Sequence, residues 1–389
     1  MAARPSRKRT IAAETHVPVD ADVWGTADSP RYNPNPQAKI EAMAPAQAPY
    51  RILALDGGPA ALLVILMLTQ LEKRVPGLLK KVDLIAGTSA GAISGLMLAT
   101  KDDPAPMLPV AANFWLNGQL YYKNSIFGLL KALVGLGSVN DSKYVQQFLE
   151  QQGVLGSKLL GELAKKVVIT SFDLNPAKKA SNMPGQLNWK PKVFNNFGHD
   201  EDTRQLAVDV ALSSSASPIV TPIHQGKVDG GLIANNPAMV ALSQAFKETY
   251  HPHEPSENHP RDRDGILMLS LGSGRSRELL DVSNNSWGYV PWLLNLFNPL
   301  LLVNAFLSGS MEVVSFEARE MMEEVRFFRL DPFYTDPGVL PFIQADPKKQ
   351  QATAQSPETQ ALIDDAVTWI HKSGWMNDPV PAEAVAGEK

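Results

Sequence analysis

The apolar runs in this chain are short, and three of them end on glycine corners. Tyr50-Arg51-Ile52-Leu53-Ala54-Leu55, Val82 to Ala86 and Ile266 to Leu271 have the length and composition of buried strands. Lys165 to Leu174 and Pro191 to Asn196 predict two more, with a polar loop holding Pro176, Pro184 and Gly185 between them. Helix patterns cover Ala60 to Val75, the small and apolar residues after Ser89, Val110 to Leu116, Thr203 to Ser213, Ala238 to Tyr250 and Pro357 to Lys372. Asn235 or Asn236 is the expected cap of the helix that begins at Ala238. Strand, glycine turn, helix is therefore a recurring unit.

Length and composition narrow the class. At 389 residues, with 44% apolar and 20% charged positions, the chain can hold one large α/β domain or two ordinary ones. A net charge of -4 gives no reason to expect nucleic acid as a partner, which usually needs a clustered basic excess. The chain has no cysteine, so disulfides, thiolate metal sites and cysteine nucleophiles are excluded. Residues 1–48 carry Arg4, Arg7, Lys8 and Arg9 and then an Ala- and Pro-rich run, the composition of a poorly ordered extension. The expected organisation is that extension, one domain over 49–376, and a flexible tail over 377–389. With no secretory signal or clean transmembrane run recognised, a cytoplasmic protein is expected.

The candidate chemistry sits on the corners. Val82 to Ala86 runs into Gly87-Thr88-Ser89-Ala90-Gly91 and then straight into a helix. A serine on such a sharp corner presents its Oγ, provided that its neighbours are nearly free of side chains, as Gly87, Ala90 and Gly91 are. The helix start adds amide donors and a positive dipole end. About thirty residues earlier, Asp56-Gly57-Gly58 forms a second corner whose N–H groups can hold an oxyanion or a phosphate. It lacks the G-x-G-x-x-G spacing of a dinucleotide site. A third feature, Asp229-Gly230-Gly231, is by itself only a turn. The histidines of 251–264 lack the spacing of a helical metal site, so neither metal nor cofactor is expected.

In their order, these motifs resemble the patatin-like phospholipase family: the Asp56-Gly57-Gly58 turn, the Gly87 to Gly91 elbow, and the distal Asp229-Gly230-Gly231. The strand and turn Leu269 to Gly274 and the approach Ala211 to Pro218 fit as well, so the likeness spans roughly 50–330. The resemblance implies a three-layer α/β/α patatin-like fold with a mostly parallel central sheet. It further implies lipid acyl hydrolysis by a Ser89–Asp229 dyad without a histidine, with oxyanion donors from Gly57, Gly58 and Ala90. Phospholipid or another lipid ester is the implied substrate, and a peripheral membrane surface the implied partner.

One departure bears on activity. The family turn normally continues with a third glycine and, two residues later, a basic side chain, where this chain has Pro59 and Ala61. Proline has no N–H, so the hole has fewer donors. That leaves two alternatives: a lipid-binding protein with little turnover, or a conventional Ser-Asp-His esterase using His371. His224, close before Asp229, is the histidine better placed for a supporting role. Finally, the span 282–311 holds no charged residue and contains Trp287, Trp292 and Leu300-Leu301-Leu302-Val303. Trp292 and the leucines after it are expected to meet lipid, with burial in the protein's own core as the competing reading.

Overall fold

The computed structural model describes residues 49–117, 138, 140–174, 189–198, 200–218, 220–249, 265–276, 287–288, 292, 301–335 and 346–378. The N-terminal extension, the tail beyond 378, the histidine-rich segment and most of the uncharged span before 301 lie outside the described residues.

Among the described residues, seven strands form one mixed sheet. They are β1 (Tyr50–Leu55), β2 (Leu84–Gly87), β3 (Lys166–Asp173), β4 (Lys190–Asn195), β5 (Lys227–Asp229), β6 (Ile266–Leu271) and β7 (Phe327–Leu330). The order is β4-β3-β2-β1-β6-β7, with β5 also paired to β3. The pairs β1–β2, β1–β6, β2–β3 and β6–β7 are parallel, whereas β4 and β5 run antiparallel to β3.

Both faces of the sheet are covered, and the period-two alternation of β1 shows how. Leu53 and Leu55 point into one core with Ile85, Val167, Ile169, Leu267 and Leu269, while Tyr50, Ile52 and Ala54 enter a second core with Leu84, Ala86, Val168 and Met268. The first core is roofed by α1 (Ala61–Arg74), α2 (Ala90–Ala99), α3 (Leu108–Asn117), α5 (Ala207–Ser214), α9 (Pro347–Gln355) and α10 (Pro357–Lys372), with α4 (Lys143–Leu149) at its margin. The second is covered by α7 (Ala238–Thr249) and α8 (Leu301–Met322). These are the three layers expected. A four-residue helix, α6 (Gly231–Ala234), follows β5.

The chain leaves β1 toward β2 and β3, then returns to the other side of β1 for β6 and β7. Such a reversal opens a crevice at the carboxyl ends of the strands, where open α/β sheets place their ligands. The turns after β1, β2, β6 and β7 all gather there. Buried Gln350 on α9 supports the first of them: its Nε2 donates to the Pro59 carbonyl (3.3 Å) and its Oε1 accepts from Leu63 N (3.1 Å).

Candidate active site

Ser89 sits where β2 becomes α2. Its backbone has φ 53° and ψ -118°, a conformation that costs about 1–3 kcal/mol and persists only when its surroundings enforce it. The enforcement is visible. Ser89 N donates to buried Ser214 Oγ at 2.9 Å, and Thr88 Oγ1 donates to the Ala234 carbonyl at 2.6 Å beside Thr170 Oγ1 at 2.7 Å. At Gly91 a β-carbon would collide with the Leu55 and Asp56 carbonyls, so α2 can begin this close to β1 only with glycine there. All ten residues of α2 are buried, and its amino end lies at the serine.

Asp229 reaches the serine through strand geometry. β2 pairs with β3 as far as Gly87 opposite Ile169, and β4 occupies the other edge of β3. β5 therefore continues along the edge that β2 vacates, with Asp229 opposite Ser171. This puts the carboxylate, two positions past the end of β2, over Ser89, itself two residues past Gly87. Ser89 Oγ donates to Asp229 Oδ2 at 2.7 Å with no histidine between them. The other carboxylate oxygen accepts from Gly231 N at 2.7 Å. Asp229 is 7% exposed, and burial raises its pKa from 3.8 to about 6, opposed only by the hydrogen bonds from Ser89 and Gly231 N–H.

The donors around the serine differ from the sequence expectation. Gly57 is buried and its N–H is committed to the Asn235 carbonyl at 2.9 Å, while its own carbonyl accepts from Ser273 Oγ (3.0 Å) and Asn235 Nδ2 (3.2 Å). Gly57 thus shapes the turn and does not supply a free donor. Pro59 has none to give. The amides of Gly58 and Ala90 are left without acceptors among the described residues. Gly58, at φ 127°, adopts a backbone that side-chain-bearing residues avoid, and a β-carbon there would stand 2.6 Å from Ser273 Oγ.

The remaining sequence candidates separate clearly. Asp56 is buried beneath the turn, Gly87 and Gly230 are close-packing positions, and Gly231 supplies the N–H to Asp229. His224 pairs with Asp209 on α5 at 2.8 Å and closes the tight Gln225-Gly226 hairpin that leads into β5. It braces the strand that carries Asp229. His371 is exposed on the last turn of α10, which packs on α1, α9 and β7. Asn236, not Asn235, caps α7, through Oδ1 and Ala238 N at 3.0 Å. Sequence reasoning missed Ser214, Ser273, Arg329 and the bridging role of Asn235. None has a local signature, since each acts on backbone or side chains far away in the chain. Among the described residues no cluster of His, Asp and Glu is arranged to hold a metal ion.

With this geometry in view, residues 53–242 match the family model described as patatin-like phospholipase. That stretch is patatin-like. Patatin-like protein 1 of Oryza sativa subsp. indica is 28% identical over 323 residues, covering 72% of this chain and 73% of that protein. Patatin-like protein 2 of Arabidopsis thaliana is 27% identical over 319 residues, covering 72% and 74%. Among solved structures, VipD from Legionella pneumophila aligns over 83% of this chain and 68% of its own, at 14% identity and a TM-score of 0.37. The patatin-like match takes in the Gly57-Gly58 turn, Ser89 and Asp229, and it stops before β6 and β7.

The surface beside the patatin-like site is apolar. Leu232 on α6 and Phe306 on α8 are 54% and 72% exposed, Val303 is also exposed, and Leu307 packs against Gly231. Leu301, one of the leucines expected to meet lipid, is instead buried, because it packs inward from the first turn of α8. By length and composition α8 is the one described helix that could cross a bilayer, but it packs on α6, α7 and β7 and carries Glu312, Glu317, Arg319 and Glu320.

Proposed function

We propose that this patatin-like chain is a lipid acyl hydrolase of the phospholipase A type, cleaving carboxylic esters through an acyl-enzyme. The observation that carries the proposal is the direct 2.7 Å bond from Ser89 Oγ to Asp229, on a strained elbow, beside two amides without acceptors. Ser89 Oγ attacks the ester carbonyl, and its proton passes to Asp229 Oδ2. The oxyanion is received by the amides of Gly58 and Ala90 near the amino end of α2. The departing alcohol takes the proton from Asp229. Water then attacks the acyl-serine as Asp229 takes its proton; the acyl–Oγ bond breaks, the fatty acid leaves, and Asp229 returns the proton to Ser89 Oγ. Ionised Asp229 is required, so turnover falls as pH drops through about 6. A lipid surface is the partner proposed for the apolar rim of Leu232, Val303 and Phe306, which is continuous with the site through Leu307 on Gly231.

The test is hydrolysis of defined phospholipids, lysophospholipids and neutral glycerides by purified protein, with Ser89→Ala in parallel. Ser89-dependent release of fatty acid is the expected result. One observation favours a second reading: with Pro59 in the turn and the Gly57 N–H engaged, the hole keeps only two donors. A lipid-binding protein with little turnover would bind vesicles equally well before and after the Ser89→Ala substitution and release no fatty acid from any of these lipids.

A further inference from the structure

We infer that Arg329 is a positioning residue for the oxyanion turn, acting through Asp56 and Asp331 to aim the Gly58 amide. The inference rests on the hydrolase reading above, but not on the family match, which ends at residue 242.

Arg329 lies on β7, next to β6 and two strands from β1. Its side chain is 8% exposed and spans the crevice end of those strands. One terminal nitrogen donates to Asp56 Oδ1 (2.8 Å) and Ser270 Oγ (2.8 Å), and the other to Asp56 Oδ2 (2.6 Å) and Asp331 Oδ2 (3.0 Å). The grip on Asp56 is bidentate, which fixes orientation as well as distance. Each carboxylate controls one turn. Asp56 begins the Gly57-Gly58 turn, with its N–H on the Leu271 carbonyl at 3.1 Å. Asp331 Oδ1 accepts from Gly274 N at 2.9 Å and so holds the turn that carries Ser273. Ser273 Oγ in turn donates to the Gly57 carbonyl and stands where a Gly58 side chain would go. Both walls of the oxyanion turn are therefore tied to one guanidinium.

A fold brace alone does not require this arrangement. β6 and β7 are already paired from Met268–Phe327 to Leu271–Leu330, and Gly272 N bonds to the Leu330 carbonyl. What Arg329 adds is aim at a turn that has lost donors to Pro59 and Asn235, leaving Gly58 as the glycine amide of the turn without an acceptor among the described residues. A displacement near 1 Å of such a group is enough to cost about 100-fold in rate. The charges facing Asp56 are Arg329, Asp331 and, from α8, Glu312, while Arg275 approaches Asp331 at 3.8 Å. Burial and then Arg329 govern Asp56, whose pKa stands at about 6.

The test uses the full chain with Arg329→Lys and Asp56→Asn, a soluble short-chain ester as substrate, and Ser89→Ala as control. Lysine keeps the charge but cannot bridge both carboxylates. We expect Arg329→Lys to lower kcat about 10- to 100-fold with KM changed less than about two-fold. Amide hydrogen exchange of the 56–60 peptide should quicken in both variants. Asp56→Asn leaves Arg329 with Asp331 and is the variant to read if Arg329→Lys does not fold. Unchanged exchange at 56–60 in both variants, or an unchanged kcat in Arg329→Lys, would overturn the inference. Absence of Ser89-dependent turnover would sink the hydrolase reading instead, and the exchange measurement would still decide whether Arg329 orders the turn.

Discussion

Asp229→Asn should make this protein inactive and, at alkaline pH, more stable. The carboxylate is buried and, among the described residues, accepts only from Ser89 Oγ and Gly231 N and has no basic neighbour to offset its desolvation. Its pKa of about 6 in the fold stands against an ordinary 3.8. At about 1.36 kcal/mol per pH unit, holding it ionised at pH 8 costs the fold about 3 kcal/mol. The sign follows from the direction of the shift. A group whose folded pKa is raised stabilises the fold below its unfolded pKa, near 4, and that contribution is lost as pH rises through about 6. Asparagine keeps the shape, its carbonyl can still accept from Gly231 N, and it carries no charge to desolvate. Urea unfolding of parent and variant at pH 4, 6 and 8 should show near-equal stability at pH 4 and a gap opening toward about 3 kcal/mol at pH 8. Asp56 titrates alike in both proteins and drops out of the difference. A gap that is the same at all three pH values, or a variant less stable at pH 8, would refute the claim that an uncompensated buried charge sits at this position.

Two more expectations come from the backbone of the site. Gly58→Ala should lower kcat by about 100-fold or more, because the β-carbon meets Ser273 Oγ at a φ of 127°, and a variant with parental kcat would remove Gly58 from the oxyanion hole. Ser214→Ala should cost about 1–3 kcal/mol in thermal or urea unfolding, by leaving Ser89 N without an acceptor, and should also slow acylation as the elbow relaxes; unaltered stability and rate would show that Ser214 does not hold the elbow.

The parts of the site that are legible in the sequence are those built within a few residues. A glycine-flanked serine between an apolar run and a helix describes one sharp corner, and that corner is where Ser89 lies. The strands Tyr50–Leu55 and Ile266–Leu271 were equally legible, since a strand buried on both faces reads as a near-continuous apolar run, interrupted here only by Arg51 and Ser270. Asp229 was harder to read: Lys227-Val228-Asp229 is too short to announce a strand, and its meaning comes from lying in line with β2 on the edge of β3. β7 gave still less. Phe-Phe-Arg-Leu has no clear period, and an arginine in a strand ordinarily reads as solvent-facing, because nothing nearby in the chain shows that Asp56 will receive it from 273 residues away. The uncharged span misled in a related way. Composition marked 282–311 as a surface for lipid or for core, but only helical phase decides which residue does which, and it turns Leu301 inward and Phe306 outward.

The departure at Pro59 and Ala61 acquires a physical meaning from the same long-range contacts. A turn with three free amides tolerates some wobble, because a substrate oxygen can shift between donors. In the proposed hole the Gly57 amide is spent on Asn235, Pro59 offers none, and the turn contributes Gly58 beside Ala90 of the elbow. Two donors must then both be in register, and the structure surrounds the turn accordingly. Asn235 and Ser273 hold the Gly57 carbonyl, Gln350 holds the Pro59 carbonyl, and Arg329 grips Asp56 with both terminal nitrogens. Fewer donors held more rigidly can serve the same oxyanion, since preorganisation and not the number of amides sets how much stabilisation reaches the transition state. On this argument the residues that decide whether the chain turns over lipid lie mostly outside the glycine motifs, on α9, on β7 and in the turn after β6.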